Sequence, residues 1–366
     1  MSVSKSLFQI TALLLSFSLL VLSFGCSGQP MGGGNSNSGG AVKINGIGAT
    51  FPAPIYKKWV DEYGKLDPNA QIDYQSQGSG AGVKAAQNQT ADFGASDAPM
   101  SDEDLKQAKG EIFHIPTVLG AVVITYNLAG VSKPLNFSPE TINDIFLGKI
   151  KKWNDPKIKA ENPDANLPAN DISVVFRSDG SGTTEVFTDY MTKVSPEWKE
   201  KVGPKGKNIK LPEGIGIGAK GNEGVTGQIK NTPNTIGYVE FLYAKQNGLP
   251  VALIKNNAGK FIEPTLDAVT AAAAESLADT PDDLRVSITN SKGEKVYPIS
   301  SYTYILIYKD QKDAAKGKVL VDFLWWATHD GVKFAQEKDY APLPSEIVKK
   351  VEAKLNSVTS GGKTLR

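Results

Sequence analysis

The stretch ISVVFRSDGSGTTEVFTDYM (172–191) decides the fold. Ile172–Phe176 is a short β-branched and aromatic run, which reads as a strand. Asp179-Gly180-Ser181-Gly182-Thr183 is a glycine-rich turn that lets the backbone approach a ligand closely. From Thr183 to Met191, Val186, Phe187, Tyr190 and Met191 fall at helical spacing. Strand, glycine turn and helix in succession form the repeating unit of an α/β fold. The first helical N–H groups have no intrahelical acceptor, and beside them stand the Ser181 and Thr183 hydroxyls. Together with the helix dipole they make a cradle for an anion.

Working outward, the same unit recurs. Gly46-Ile47-Gly48-Ala49-Thr50-Phe51 precedes a helix opened by Pro52 and Pro54. Gly78-Ser79-Gly80-Ala81-Gly82 follows a strand over 71–76 and precedes a helix. Asp92-Phe93-Gly94-Ala95-Ser96-Asp97 places a carboxylate at a strand end, beside the same crevice if the sheet is parallel. A single glycine turn with a Ser or Thr is usually only a helix cap. Three in one chain favour an oxyanion site. Arg177 lies two residues before Asp179, and residues two apart in an extended segment point the same way. The pair reads either as a guanidinium aimed at an anion and oriented by its carboxylate, or as a surface ion pair of little energy.

Further strands are expected over 43–46, 91–95, 121–127, 236–239 and 302–308. Helices are expected over 54–63, 139–147 and 314–327, with an Ala-rich one at 270–276. The alternation predicts α/β layers with mostly parallel sheets. Its 366 residues suffice for two domains. Lys and Arg number 40 against 39 Asp and Glu, so no basic surface for nucleic acid is expected. Cys26 is the lone cysteine, and His114 and His329 are the only histidines. Intrachain disulfides are therefore excluded, and a His-based metal site or triad is unsupported. No catalytic residues, metal or cofactor are expected.

Residues 1–25 read as a signal peptide, with Lys5 in the n-region and the interrupted apolar run Leu13–Phe24. The run ends at Gly25-Cys26, which resembles a bacterial lipobox, with Ser23 where Leu is usual. Cys26 is the expected lipidation site and new N-terminus, and 26–42 a Gly/Ser-rich tether. Its span Ser27–Gly40 would reach roughly 20 Å as a flexible coil.

Three other signals are set aside. Gly216-x-Gly218-x-x-Gly221 fits GxGxxG but follows a Pro-containing segment rather than a clear strand, so no dinucleotide site is expected. Gly362-Lys363-Thr364 resembles a Walker A end without its first glycine, in a segment expected to fray. Trp325-Trp326 reads as helix packing.

The chain closely resembles the phosphate-binding proteins of bacterial high-affinity phosphate ABC transporters, the PstS family. The resemblance is carried by GIGATFPAPIYKKW (46–59), GSGAGVK (78–84), ADFGASDAPMSDE (91–103), FLGKIKKWNDP (146–156), DGSGTTEVFTDY (179–190), NTIGYVEFLYAKQN (234–247), YILIYKDQK (304–312) and DYAPLP (339–344). It implies a two-lobe, class II periplasmic binding protein whose hinge is crossed twice, with lobe 1 at 43–118 plus 299–366 and lobe 2 at 119–298. It implies phosphate contacts at Ala49, Thr50, Phe51, Ser79, Asp97, Arg177, Ser181, Gly182 and Thr183, with Asp179 holding the Arg177 guanidinium. The implied protein is a monomer and no enzyme. It captures inorganic phosphate outside the cytoplasm and passes it to the membrane permease and ATPase subunits of a transporter.

The residue chemistry agrees. A carboxylate only accepts hydrogen bonds. Phosphate near neutral pH still has a proton to donate and sulfate does not, so Asp97 would favour phosphate. Two other readings are a receptor for sulfate or molybdate, which Asp97 disfavours, and a phosphate-ester hydrolase using Asp97 and Asp179, which lacks a nucleophile.

Overall fold

The computed structural model describes residues 40–131 and 133–366. The leader, Cys26 and the tether up to residue 39 lie outside the described residues. Among the described residues no helix is long and apolar enough to cross a membrane.

One eight-stranded sheet carries the architecture. Its strands are β1 (Val42–Gly48), β2 (Ala70–Ser76), β3 (Phe93–Ser96), β4 (Ile112–Asn127), β6 (Ser173–Arg177), β7 (Gly216–Ala219), β8 (Thr235–Glu240) and β11 (Ser300–Tyr308), in the order β2-β1-β3-β11-β4-β8-β6-β7. The intervening β5 (Asn136–Phe137), β9 (Leu253–Lys255) and β10 (Phe261–Ile262) form a small separate sheet, and β12 (Thr359–Ser360) and β13 (Lys363–Thr364) form a terminal hairpin.

The long strand β4 belongs to both halves of the sheet. Residues 112–121 pair with β11, and Val122–Asn127 pair with β8. The chain passes from the first half to the second inside β4 and returns before β11. These two passages make the architecture a two-lobe binding protein of class II. Each half buries its own apolar layer: Trp59, Ile115 and Leu324 in the first, Trp153, Phe187 and Tyr238 in the second.

The expectation of mostly parallel strands holds within each half, at β1–β2, β1–β3, β6–β8 and β6–β7. It fails at the crossing strands, where β3–β11, β4–β11 and β4–β8 are antiparallel. The reason is directional: one strand carries the chain out and the other carries it back.

Pro116 has no N–H for the ladder, which disguises residues 112–120 as a non-strand. The register slips there, Thr303 facing Val118 and Tyr304 facing Pro116, so the extra residue Thr117 is absorbed as a bulge. Gly362-Lys363-Thr364 does not fray. It closes the β12–β13 hairpin through Gly361 and Gly362 at φ of 56° and 78°, a backbone that glycine adopts without strain.

Candidate functional site

The three glycine turns and the carboxylate converge where the two halves meet. The first turn (49–51), Ser79 and Asp97 come from the first half; Arg177, Asp179 and Ser181–Thr183 come from the second. The Gly80 amide donates to the Gly180 carbonyl at 2.8 Å, joining two turns across the interface. All the expected side chains except Asp179, which is half-buried, are at least 97% buried: Thr50, Ser79, Asp97, Arg177, Ser181 and Thr183.

The first turn is set by three tyrosines that sequence reasoning did not single out. Tyr74 Oη donates to the Ala49 carbonyl at 2.6 Å, Tyr243 Oη to the Thr50 carbonyl at 2.6 Å and Tyr340 Oη to the Phe51 carbonyl at 2.7 Å. In a trans peptide the C=O and the following N–H point opposite ways. Pulling the Ala49 and Thr50 carbonyls outward therefore turns the Thr50 and Phe51 amides inward. The Ala49 amide is not free, because it donates to the Ala95 carbonyl at 3.1 Å. Ala49 thus shapes the turn through its carbonyl.

Of the site hydroxyls Thr50, Ser79, Ser181 and Thr183, Ser181 is the helix cap. Ser181 Oγ accepts from the Thr184 amide at 3.0 Å, at the start of helix Gly182–Val194. Ser79 is the first residue of helix Ser79–Asn88, whose cap Gly78 has no side chain to offer. Its hydroxyl instead donates toward Asp97 Oδ2 at 3.4 Å. The capping explanation thus does not account for Ser79 or Thr50.

Arg177 and Asp179 are not a surface pair. The Arg177 side chain is 1% exposed, and its Nε and Nη2 donate to the two Asp179 oxygens at 2.7 and 2.6 Å. Nη1 is buried and has no partner among the described residues. Burial alone would raise the Asp179 carboxyl. The guanidinium and the Gly221 amide, 3.0 Å from Oδ1, outweigh it and hold the group below the ordinary carboxylate range.

Asp97 follows β3 directly. Burial pushes its carboxyl up to about 7, against the Thr303 hydroxyl at 3.0 Å, the Arg177 charge, and the Ser79 and Thr183 hydroxyls. It therefore titrates near neutrality, ready to accept or share a proton. The rest of the site donates: amides at helix starts, hydroxyls and one guanidinium nitrogen. Such a set of many donors and one acceptor suits an oxyanion that carries a proton.

The set-aside GxGxxG proves to lie on the site as well. β7 supplies Gly216 and Gly218, and Gly221 opens the helix Gly221–Asn231 at φ 72°. This is a fourth strand–turn–helix junction, and it binds Asp179 rather than a nucleotide. The next residue, Asn222, is fully buried and bonded to Thr50 and Thr183. Among the described residues no group of three or more His, Cys, Asp or Glu is placed to hold a metal ion.

Comparison with known proteins agrees with this geometry. Residues 34–329 match the PBP superfamily domain. The phosphate-binding protein PstS of Pasteurella multocida (strain Pm70) is 44% identical over 328 residues, covering 89% of this chain and 94% of that protein. The phosphate-binding protein PstS of Methanocaldococcus jannaschii is 37% identical, covering 93% of this chain and 94% of that one. Among solved structures, a phosphate-binding protein from Stenotrophomonas maltophilia has a TM-score of 0.67 at 23% identity, covering 86% of this chain and 94% of that one. The chain therefore belongs to the PBP superfamily and, within it, to the PstS family of phosphate-binding proteins.

Proposed function

We propose that this protein is an extracytoplasmic receptor that captures inorganic phosphate between its two lobes and delivers it to an ABC permease for import, catalysing no reaction. The observation that carries this reading is the buried Asp97 carboxyl facing a ring of donors. Phosphate presents unprotonated oxygens to the Thr50, Phe51, Ser79, Gly182 and Thr183 amides, to the hydroxyls of Thr50, Ser79, Ser181 and Thr183, and to Arg177 Nη1. Its remaining proton goes to Asp97. Asp179 keeps the guanidinium flat against the site. Sulfate has no proton to give, and would set a second anion against the Asp97 carboxylate. A site built around a ligand hydrogen bond can reject an analogue lacking it by roughly 10⁴–10⁵-fold.

In this reading lobe 1 is 43–118 plus 299–366 and lobe 2 is 119–298. Ligand entry parts the two turns joined at Gly80 and Gly180, with β4 and the passage into β11 as the hinge. Cys26 carries the lipid, the tether holds a monomeric receptor at the outer face of the cell membrane, and the transporter's permease and ATPase subunits are its partners. Calorimetric titration of the purified protein with phosphate, arsenate and sulfate at pH 8 tests the reading. Phosphate and arsenate should bind and sulfate should not; equal binding of sulfate overturns it.

A further inference from the structure

We propose that Asn222 is the positioning residue that completes the site on closure, by turning the Thr50 hydroxyl into a donor when the two lobes meet. The inference rests on the phosphate reading above and adds a residue to it. Asn222 has no exposed surface and sits second in the helix Gly221–Asn231, behind the GxGxxG stretch.

Its orientation is fixed by a group that can only donate. The Glu240 amide donates to Asn222 Oδ1 at 3.0 Å, so the side-chain nitrogen must face the cleft. Nδ2 has two protons. One goes to Thr50 Oγ1 at 2.8 Å and the other to Thr183 Oγ1 at 3.1 Å. The Asn222 backbone amide adds a further bond to Thr50 Oγ1 at 3.2 Å. A hydroxyl has two lone pairs and one proton. Both Thr50 lone pairs are therefore filled, and the proton is all that Thr50 has left to offer. Thr183 has one lone pair filled in the same way.

Thr50 and Asn222 stand on opposite halves of the sheet. Thr50 follows β1, and the Asn222 helix packs on β6, β7 and β8. The bonds between them exist only when the halves are together, so the Thr50 hydroxyl is oriented by closure itself. Asn222 makes the first half's hydroxyl ready for an anion oxygen only once the second half has arrived. Its effect belongs to the closed complex and to the rate at which that complex reopens.

The test is a kinetic and double-mutant comparison of Asn222→Ala and Asn222→Leu, the second keeping the buried volume. Phosphate-free thermal denaturation checks that each folds. Stopped-flow phosphate binding should show dissociation faster by about 10- to 100-fold, as expected for unmaking hydrogen bonds at buried groups, with association within about threefold of wild type. In a Thr50→Val background most of the loss caused by Asn222→Leu should vanish, because the hydroxyl it orients is gone. Losses that simply add in the double variant, or a slowed association with unchanged dissociation, overturn the proposal. Wild-type protein that binds no phosphate overturns the reading beneath it, and is read separately from the variants.

Discussion

Arg177 gives two guanidinium nitrogens to Asp179, at 2.7 and 2.6 Å, and holds its third buried without a partner among the described residues. The pair is a mounted charge. The carboxylate fixes the plane of the guanidinium, and the Gly221 amide at 3.0 Å fixes the carboxylate. An arginine held at two of its nitrogens loses little further freedom on meeting an anion with the third.

Arg177→Ala should weaken phosphate binding more than Ser79→Ala. Truncating one partner of a buried charge pair costs about 2–5 kcal/mol, and also strands Asp179. Losing a neutral hydroxyl costs about 1 kcal/mol. Calorimetry on both variants at pH 8 checks the order. A larger loss at Ser79 would mean that Nη1 does not touch the ligand.

Phosphate should raise the thermal stability of the protein, and equal sulfate should not. A ligand at 100 times its dissociation constant adds about 2.7 kcal/mol to the native state. Differential scanning fluorimetry at pH 8 reads this, and matching shifts from the two anions would contradict the role given to Asp97.

Closure itself can be blocked at one atom. A Cβ at Gly182 would come within 2.3 Å of Ser79 Oγ and 2.7 Å of Asp97 Oδ2, both on the opposite half. Gly182→Ala should therefore abolish phosphate-dependent stabilisation. Phosphate-free stability should move by under about 1 kcal/mol, since the position opens a helix that tolerates alanine. Retained phosphate binding would show that the lobes need not approach this closely.

The elements at 172–191 were legible because period and punctuation agree there: a β-branched run, a glycine turn and a 3.6-residue apolar stripe. β4 was half hidden, because Pro116 interrupts the pattern and only the bulge at Thr117 rescues it. Every expected site residue lies at one interface, since each sits at a strand–helix junction. Asn222, Tyr74, Tyr243 and Tyr340 escaped notice for a physical reason. They act on the backbone and hydroxyls of the turns, at sequence distances of 25 to 289 residues, and nothing in local spacing marks such a bond. The GxGxxG stretch was set aside for want of a clear strand, because β7 is masked by its own glycines, Gly216 and Gly218.

Asp97 makes phosphate-free stability depend on pH in a defined direction. Its native carboxyl is raised from 3.8 to about 7 by burial. Between those values the folded state keeps a proton that the unfolded chain releases, so this group's contribution falls as pH rises from about 4 to about 7. The full effect is at most about 4 kcal/mol. In phosphate-free buffer, Asp97→Asn should lose less stability than wild type between pH 5 and pH 8. Parallel pH profiles for the two proteins would place the Asp97 titration outside this window.

On the phosphate reading the same carboxyl should decide between anions, and Asp97→Ala separates its two effects. The substitution removes the acceptor for the ligand proton and also removes a charge that repels every anion. For phosphate the two oppose each other. The lost acceptor should win, because it leaves a dry P–OH, at a cost of about 2–5 kcal/mol for a truncated buried charged partner. For sulfate only the repulsion is relieved, so its binding should improve. The phosphate-to-sulfate affinity ratio at pH 8 should fall sharply in the variant. In wild type the ratio should also fall as pH drops below about 7, because a protonated Asp97 no longer repels sulfate and can donate to it. Both ratios come from competition calorimetry at fixed salt. If the ratio is unchanged in Asp97→Ala while both affinities drop together, Asp97 shapes the turn and does not read the proton.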